Sequence, residues 1–421
     1  MAPRAKETGP PRLKGAEWLE RPATQAVFTA LRAGGYEGRA VGGAVRNALL
    51  GTPVKDTDIA TTALPEEVMR LATAAGLKAI PTGLEHGTVT VVSSHVAYEV
   101  TTLRKDIETF GRHARVTFTA DWAEDARRRD FTMNALYCGA DGTVHDPLGG
   151  WPDLVARRVR FIGEARERIR EDYLRILRFF RFTAEYAAGV PDAEGLAACL
   201  AERAGLELLS GERIRAELLR LLTASAAIPA VRVMAEHGLL QDLIGAEPDV
   251  DALSRLAEIE QALGRAPDAI LRLAALAVRE PDDAARLKDR LRLSGAEHDR
   301  LARATPYALA LNPQVPDEAV KPLLYRIRAD AFRDATLLAW AHSSDATDSA
   351  RWRRRLELPD RWPPPALPFR GADLITLGVP PGPEVGRTLA EFEAWWMGEG
   401  FPADRDRLEA KLREIAAPHV K

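Results

Sequence analysis

The stretch Val41-Gly42-Gly43-Ala44-Val45-Arg46 is followed, after a short gap, by Asp56-Thr57-Asp58, and these two elements decide the fold of the chain. Side chains two residues apart in a strand project from the same face, so Asp56 and Asp58 are predicted to bind hard cations at one edge of a sheet. The glycine pair lets backbone amides approach a triphosphate, and Arg46 can add a charge-assisted hydrogen bond. Together the two elements predict a metal-dependent nucleotide site.

Two further segments follow in the chain and strengthen this prediction. Tyr98-Glu99-Val100-Thr101-Thr102-Leu103-Arg104 supplies a carboxylate within a strand-like run, and Arg127 to Leu136 begins with three arginines. Glu99 can share a metal site with the two aspartates, although the pattern also fits an ordinary strand residue that faces solvent. A lone Asp-x-Asp is most often a solvated turn, so the prediction depends on all four elements occurring in this order.

The order of these elements resembles that of the class II tRNA nucleotidyltransferases, the CCA-adding enzymes, and of the related bacterial poly(A) polymerases. The resemblance is close over the first half of the chain and looser beyond it. It implies an α+β fold, in which a small polymerase-beta-like head with a mixed sheet is followed by an all-helical neck, body and tail. It also implies Mg²⁺ as cofactor, ATP and CTP as substrates, and tRNA as partner through its acceptor and T arms.

The resemblance assigns a role to each position that matches a family motif. Asp56 and Asp58 would bind the Mg²⁺ ions, and with Glu99 they form the predicted catalytic carboxylates. The implied nucleotide-binding residues are Gly43 and Arg46 at the phosphates, Arg129 and Asn134 at the triphosphate or sugar, Asp172 and Arg175 at the base, and Arg178 and Arg181 nearby.

Hydrogen-bond chemistry supports the base-reading role of Asp172 and Arg175. Aspartate only accepts and arginine only donates, which suits cytosine and adenine because both carry an exocyclic amino donor beside a ring-nitrogen acceptor. If one helix covers both residues, they lie about 60° apart on its surface and can reach the same base. Arg181 would lie about 180° from Asp172, which gives less support to its implied role.

Composition narrows the class of protein. Lys and Arg number 58 against 61 Asp and Glu, a formal net charge of −3, so contacts to RNA must come from local clusters such as residues 127–129 and 351–355. Two cysteines, Cys138 and Cys199, predict a reducing compartment with neither disulfides nor a zinc site. The chain has no apolar run of about 18 residues. These features predict a cytoplasmic protein with no membrane contact, and no stable protein partner is predicted.

Hydrophobic spacing and the positions of turn residues predict five regions along the chain. Mixed helix and strand signals end at the turn Asp146-Pro147-Leu148-Gly149-Gly150, and helical spacing dominates from Trp151 onward. Strands are predicted at 40–41, 56–60, 78–80, 88–92 and 97–101, with a flexible loop at Phe110 to Ala114. The predicted regions are a flexible N-terminal extension (1–22), the catalytic head (23–150), a neck with the base-reading helix (151–235), a body (236–310) and a tRNA-binding tail (311–421).

The favoured function is template-independent addition of CCA to the 3′ end of tRNA. Poly(A) polymerase is the main alternative, but that group typically carries an arginine-rich stretch between the aspartate pair and the third acid. Here the stretch is Pro81-Thr82-Gly83-Leu84-Glu85-His86-Gly87-Thr88-Val89, which has no such basic signature. The sequence leaves open whether the enzyme adds all of CCA, only CC or only A.

Overall fold

The computed structural model describes residues 9–110, 113–280, 282–308, 311–343 and 349–419. The chain divides into two compact units, one ending at Glu247 and the other beginning at Pro248. All strands of the described residues lie in the first unit, and the second unit is helical. The predicted α+β fold, with a mixed-sheet head and a helical remainder, is therefore confirmed, while the finer division into neck, body and tail stays a prediction.

The head is built on a mixed sheet whose strand order, in the described chain, is β3-β4-β5-β2-β1-β8-β9. Only β2 and β5 run parallel within it, and this pairing places Asp58 opposite Glu99. β6 and β7 form a separate antiparallel hairpin. The strands are β1 (Gly38–Val41), β2 (Asp58–Thr61), β3 (Lys78–Gly83), β4 (Thr88–Ser93), β5 (Val96–Thr102), β6 (Arg104–Phe110), β7 (His113–Phe118), β8 (Tyr137–Gly139) and β9 (Val144–His145).

Alternating apolar residues bury one face of this sheet. In β4 every second residue is buried, and Val89 and Val91 lie opposite Val100 and Tyr98 of β5. Two helices that begin with proline cover the face with their apolar stripes. The head helices are α1 (Glu17–Glu20), α2 (Pro22–Ala33), α3 (Gly43–Leu49), α4 (Pro65–Ala74) and α5 (Trp122–Arg127).

The prediction that residues 1–22 form a flexible extension is wrong for the second half of this segment. Residues 1–8 lie outside the described residues, but Trp18 and Leu19 are buried against the head. The Leu13 amide donates to the Gly142 carbonyl at 2.8 Å, and the Thr24 hydroxyl donates to the Trp18 carbonyl at 2.8 Å. Two large apolar side chains are enough to fix this segment, so the packed head begins before the predicted residue 23.

Other differences from the predicted strands bear on the site. β2 begins at Asp58, so Asp56 lies in the preceding loop and the predicted strand over 56–60 begins too early. The predicted flexible loop at Phe110 is partly a hairpin, because β6 ends at Phe110 and β7 begins at His113. Gly111 and Arg112 lie outside the described residues.

The helical remainder of the first unit packs around α8. Phe179 and Phe182 of α8 form an aromatic cluster of tilted and stacked rings with Phe131 and Phe161, which joins the end of the head to the helices. These helices are α6 (Trp151–Val155), α7 (Ala165–Glu171), α8 (Leu174–Tyr186), α9 (Ala193–Ala201), α10 (Gly211–Leu222), α11 (Ala227–Glu236) and α12 (Leu239–Ile244).

The second unit has its own apolar core, which includes Leu374, Phe392 and Trp396. None of the helices in the described ranges is long and apolar enough to cross a membrane. The helices of the second unit are α13 (Val250–Ala262), α14 (Ala269–Ala277), α15 (Asp283–Leu291), α16 (Gly295–Ala308), α17 (Asp317–His342), α18 (Ser349–Leu356), α19 (Leu358–Arg361), α20 (Gly371–Thr376), α21 (Pro383–Gly398) and α22 (Arg405–Ala416).

Candidate active site

Three carboxylates lie at one end of the paired strands β2 and β5, and we call them the carboxylate rim: Asp56, Asp58 and Glu99. All three residues are exposed, whereas the intervening Thr57 and the following Ile59 are buried. The alternation of exposed and buried side chains thus begins two residues before β2, so Asp56 and Asp58 both remain accessible. The parallel register brings Glu99 next to Asp58, as its candidacy as third carboxylate requires.

The rim concentrates negative charge. Desolvation in the cleft, the Glu99 carboxylate and, more weakly, Asp56 raise the pKa of Asp58, while Arg129 opposes this rise. In the described part of the chain, no hydrogen bond or ion pair neutralises the three rim side chains. A cation placed among them would relieve the repulsion.

The donor set fits a hard divalent cation bound together with a substrate. Among the described residues, no three His, Cys, Asp or Glu side chains are already arranged to hold a metal ion. Mg²⁺ is usually held by one or two carboxylates together with substrate phosphates and water rather than by an all-protein cage. The rim therefore provides part of a metal site, which a triphosphate would complete.

The glycine pair begins α3 beside this rim. Gly42 has φ 69° and ψ −121°, a backbone conformation that residues with a Cβ rarely adopt. Gly43 is the first residue of the helix, and a Cβ at Gly42 would lie 3.7 Å from an Arg129 guanidinium nitrogen. The local fold thus brings the turn and Arg129 together.

Arg129 is held by partners that the sequence did not reveal. Its guanidinium donates to the Tyr137 hydroxyl at 3.2 Å and to Asp125 at 3.1 Å, and Tyr137 donates to Asp125 at 2.7 Å. Burial disfavours the charge on Arg129, but Tyr137 and Asp125 outweigh burial and raise its pKa. Arg129 is therefore a fixed cation near Asp58.

A second group of polar side chains runs from α3 to α8. Arg46 donates to the Asn134 amide oxygen and to the Tyr186 hydroxyl, and its guanidinium lies 4.1 Å from the centre of the Tyr186 ring. Asn134 donates to Asp130 at 2.9 Å, and Asp130 accepts from Arg178 at 2.6 Å. The structure thus brings three of the predicted residues, Arg46, Asn134 and Arg178, into one connected chain of hydrogen bonds through Asp130.

Asp130 is the centre of this chain. Burial opposes its charge, but Arg178, Asn134 and the Phe131 amide outweigh burial and lower its pKa to about 2. The stretch after Arg129 is thereby attached both to α3 and to α8.

The single helix predicted over Asp172 and Arg175 is wrong. α7 ends at Glu171, Asp172 has extended φ and ψ of −157° and 105°, and α8 begins at Leu174. Asp172 leaves the helical path because its carboxylate accepts from the Leu174 amide at 3.1 Å at the start of α8. The predicted angle of about 60° on one helix surface therefore does not apply.

Asp172 and Arg175 bond to different protein partners. The second Asp172 oxygen accepts from Arg213 of α10 at 2.7 Å. Arg175 donates to the Arg168 carbonyl at 2.5 Å and to the Glu171 carboxylate. We call residues 168–181 the arginine segment, because its arginines are all held by carboxylate or carbonyl oxygens.

Arg181 is the most enclosed member of the arginine segment. It donates to Glu217 at 2.6 Å and to Glu185 at 3.0 Å, and both Arg181 and Glu217 are buried. The ring of Phe182 lies 4.3 Å from its guanidinium. These contacts brace α8 against α10, and the predicted angle of about 180° between Arg181 and Asp172 does not apply either, because Asp172 lies outside α8.

Sequence reasoning missed several members of this site. Asp125 of α5 and Arg129, two residues beyond the end of this helix, are spaced i, i+4, a pairing pattern that could have been found. Asp130 follows the quoted arginines directly. Tyr137 and Tyr186 gave no signal, because they meet their partners only through the sheet and through α8.

The mixed sheet, the carboxylate rim and the glycine turn define a nucleotidyltransferase. Residues 38–160 match the poly A polymerase head domain, and residues 192–253 match the probable RNA and SrmB-binding site of polymerase A. The CCA tRNA nucleotidyltransferase 1, mitochondrial, of Danio rerio is 36% identical over 401 residues, covering 90% of this chain and 88% of that protein. The chain belongs to the family of CCA-adding tRNA nucleotidyltransferases.

Bacterial relatives extend the match over nearly the whole chain. The CCA-adding enzyme of Levilactobacillus brevis is 32% identical over 412 residues, covering 94% of this chain and 97% of that protein. The crystal structure of the Bacillus stearothermophilus CCA-adding enzyme in complex with CTP is similar with a TM-score of 0.72 and 30% identity, covering 94% of this chain and 98% of that one. The similarity thus includes both compact units.

Proposed function

We propose that this enzyme adds C, C and A to the 3′ end of tRNA, using CTP and ATP and without a nucleic-acid template. The observation that carries the proposal is the parallel register that sets Asp58 opposite Glu99, beside Asp56 and Arg129. The oxygen of the tRNA 3′-hydroxyl loses its proton to solvent and forms a bond to the α-phosphorus of the nucleotide. The bond from this phosphorus to the oxygen that bridges it to the β-phosphate breaks, and pyrophosphate leaves. The family names of the relatives support the choice of CCA as product.

The carboxylate rim is assigned to metal binding and catalysis. Asp56 and Asp58 would hold Mg²⁺, and Glu99 would act beside them as the third carboxylate. A bound divalent cation supplies charge neutralisation at the triphosphate and a lower pKa for the attacking hydroxyl. Arg129, fixed by Asp125 and by its tyrosine partner, would orient the triphosphate in the same cleft.

The glycine turn and the polar chain behind it are assigned to the phosphates and sugar of the nucleotide. Gly43 would let its backbone approach the phosphates closely, and Arg46 would face them from α3. Asn134 already accepts from Arg46, so it would set the direction of that guanidinium. In this proposal Arg46 acts from a prearranged position.

Asp172 and Arg175 are assigned to the base. Their complementary acceptor and donor groups suit cytosine and adenine, and a base with the opposite pattern would leave buried polar groups without partners. Arg178 lies within electrostatic reach of Asp172, whereas Arg181 is assigned to bracing α8. In the structure both base-reading side chains have protein partners, so nucleotide binding would require an exchange of hydrogen bonds.

The C-terminal unit is assigned to tRNA binding, and the acceptor and T arms are the proposed contacts. Three arginines, Arg354, Arg355 and Arg361, lie around the single carboxylate of Asp317, which leaves local positive charge. We also propose a reducing, cytoplasmic location, which the buried free cysteines Cys138 and Cys199 support. The mitochondrial names of some relatives make the mitochondrial matrix the alternative.

A series of truncated tRNAs tests the product. Purified enzyme is incubated with tRNAs ending before the first C, after C and after CC, with each nucleotide separately. Addition of C, then C, then A, followed by a stop, is the expected result. Enzymes that add only CC or only A would extend only some of these primers.

Poly(A) polymerase is the second candidate, because the matched head domain carries that description. The test compares a tRNA lacking its 3′ end with a generic oligoadenylate, given ATP alone and ATP with CTP. Long adenylate tails on the generic primer, with CTP ignored, would replace the proposed function by poly(A) synthesis.

A further inference from the structure

We propose that Arg168 is a positioning residue that sets the selectivity for the base by linking the backbone at Arg129 to the base-reading Arg175. The proposal rests on the proposed function, since it assigns Arg175 to the base. Arg168 lies on α7 and touches neither the carboxylate rim nor the glycine turn in any described contact. It would act through the groups that it holds.

Arg168 makes contacts in two directions. One guanidinium nitrogen donates to the carbonyls of both Arg128 and Arg129, at 2.6 Å and 2.7 Å. The other terminal nitrogen donates to the Glu171 carboxylate. Its side chain is only 11% exposed, so these hydrogen bonds lie largely out of water and are correspondingly directional.

Glu171 completes the link to the base-reading side chain. The same carboxylate oxygen that accepts from Arg168 also accepts from Arg175, and Arg175 donates in addition to the Arg168 carbonyl. Arg175 is therefore fixed at two points, the backbone carbonyl of Arg168 and the Glu171 carboxylate that the Arg168 side chain also holds. A shift of Arg168 would move Arg175 relative to the triphosphate site at Arg129.

The geometry requires a guanidinium at this position. A lysine ammonium is a compact charge and lacks the planar, forked donors that reach two carbonyls and a carboxylate at once. Lysine would keep the charge and most of the side-chain length but would lose part of the link. Arg168→Lys therefore distinguishes an effect of lost hydrogen bonds on the position of Arg175 from an effect of lost charge.

Helix α7 also provides a matched control. Arg170 lies two residues further along the chain and pairs with Glu202 at 2.7 Å, with its side chain 54% exposed. It contacts neither Arg129 nor Arg175 in any described hydrogen bond. Arg170→Ala removes an arginine from the same helix without touching the proposed link.

The experiment measures the ratio of kcat/KM for CTP over UTP on a tRNA lacking its 3′ CCA. The wild type is compared with Arg168→Lys, Arg168→Ala, Arg175→Ala, the double variant and Arg170→Ala. Arg168→Lys and Arg168→Ala should lower the ratio by about tenfold or more, since a displacement of about 1 Å at a reacting centre has large effects. Arg170→Ala should stay within about twofold of the wild type, as expected for a surface change.

The double variant distinguishes positioning from a general structural role. If Arg168 acts through Arg175, adding Arg168→Ala to Arg175→Ala should lower the ratio no further. An unchanged ratio in Arg168→Lys, or a full additional loss in the double variant, would overturn the proposal. Thermal unfolding identifies variants that fail to fold, and if Arg168→Ala is one of them, Arg168→Lys decides.

Equilibrium titration with CTP and UTP separates this proposal from the proposed function. If the wild type fails to extend tRNA, the proposed function is wrong. In that case the preference of the wild type for CTP over UTP in binding, and its loss in Arg168→Lys, still supports the positioning role. Equal preferences in both proteins overturn it.

Discussion

Like charges face one another at the carboxylate rim, whereas opposite charges are matched along the arginine segment. Asp58, Asp56 and Glu99 have no bonded cation in the described chain, and their repulsion contributes to the raised pKa of Asp58. Arg175 and Arg181, in contrast, are each held by at least one carboxylate. The rim and, within the arginine segment, Asp172 and Arg175 are expected to contact the same nucleotide.

The difference indicates how each region acts. An uncompensated group of carboxylates gains stability only when a cation arrives, so the rim is prepared for a ligand that the protein itself does not supply. A matched group of charges holds its geometry before any ligand arrives, which suits positioning and selection. We infer that the rim performs the transfer and that Asp172 and Arg175, held in place within the arginine segment, choose the nucleotide.

The largest expected effect is at the rim. Asp58→Ala should lower the rate of nucleotide addition by at least about a thousandfold, the upper range for losing one electrostatic group at a reacting centre. The reason is that no neighbouring carboxylate can take its place opposite Glu99. Rates are measured with saturating Mg²⁺ on truncated tRNA.

Glu66→Ala provides the control for this prediction, because Glu66 is an exposed acid in the first turn of α4. It should keep its activity, and both variants should keep the melting temperature of the wild type. Near wild-type turnover in Asp58→Ala would remove the rim from the mechanism.

The next effect concerns the matched charges and is on stability. Arg181→Ala leaves Glu217 buried without its closest partner, so the free energy of unfolding should fall by about 3 kcal/mol or more. Denaturant unfolding measures this change. Selectivity between CTP and UTP in the folded variant should be that of the wild type, and a lost preference would return Arg181 to the base-reading group.

A smaller effect is expected on selectivity. Arg175→Ala should lower the preference for CTP over UTP by about 10- to 100-fold, because the donor to the base is lost while the rim is untouched. The KM for the triphosphate should change less than this ratio. Steady-state kinetics with each nucleotide separately provide the values, and an unaltered preference would speak against base reading by this residue.

The smallest effect is the pH-dependent contribution of Asp130. Its pKa of about 2 in the folded chain lies below the unfolded value of about 3.9, so its charge stabilises the fold above about pH 4. This contribution is about 2 to 3 kcal/mol at neutral pH and is lost as the pH falls from about 4 through about 2. Asp130→Asn should therefore be destabilised at pH 7, and the difference in its free energy of unfolding from the wild type should become smaller at pH 3. A difference in the free energy of unfolding that does not change with pH would show that the carboxylate charge does not cause the destabilisation.

The head could be predicted from the sequence to a large extent, because its signals are local. Alternation in β4 and β5 and the proline-initiated helices α2 and α4 all follow from short patterns. The hairpin was not predicted because β6, with the sequence RKDIETF, has no regular alternation, although β7 does alternate. Asp56 was predicted to lie in a strand that begins only at Asp58.

The partners of the site could not be predicted in the same way. Asp172 is bonded to Arg213, 41 residues away, and Arg178 is bonded to Asp130, 48 residues away. Such pairs depend on how the helices pack, which one sequence does not reveal. The break at Asp172 did have a local signal, since aspartate is favoured just before a helix begins.

The most direct test of the division between the two regions is a single-turnover competition among all four nucleotides on truncated tRNA, with the added residues sequenced. We compare the wild type, Asp58→Asn and Arg175→Ala. The account predicts that Asp58→Asn slows addition of every nucleotide alike and keeps C as the preferred first residue, whereas Arg175→Ala retains much of the rate and adds wrong residues. Loss of rate without wrong residues in Arg175→Ala, or altered choice in Asp58→Asn, would contradict it.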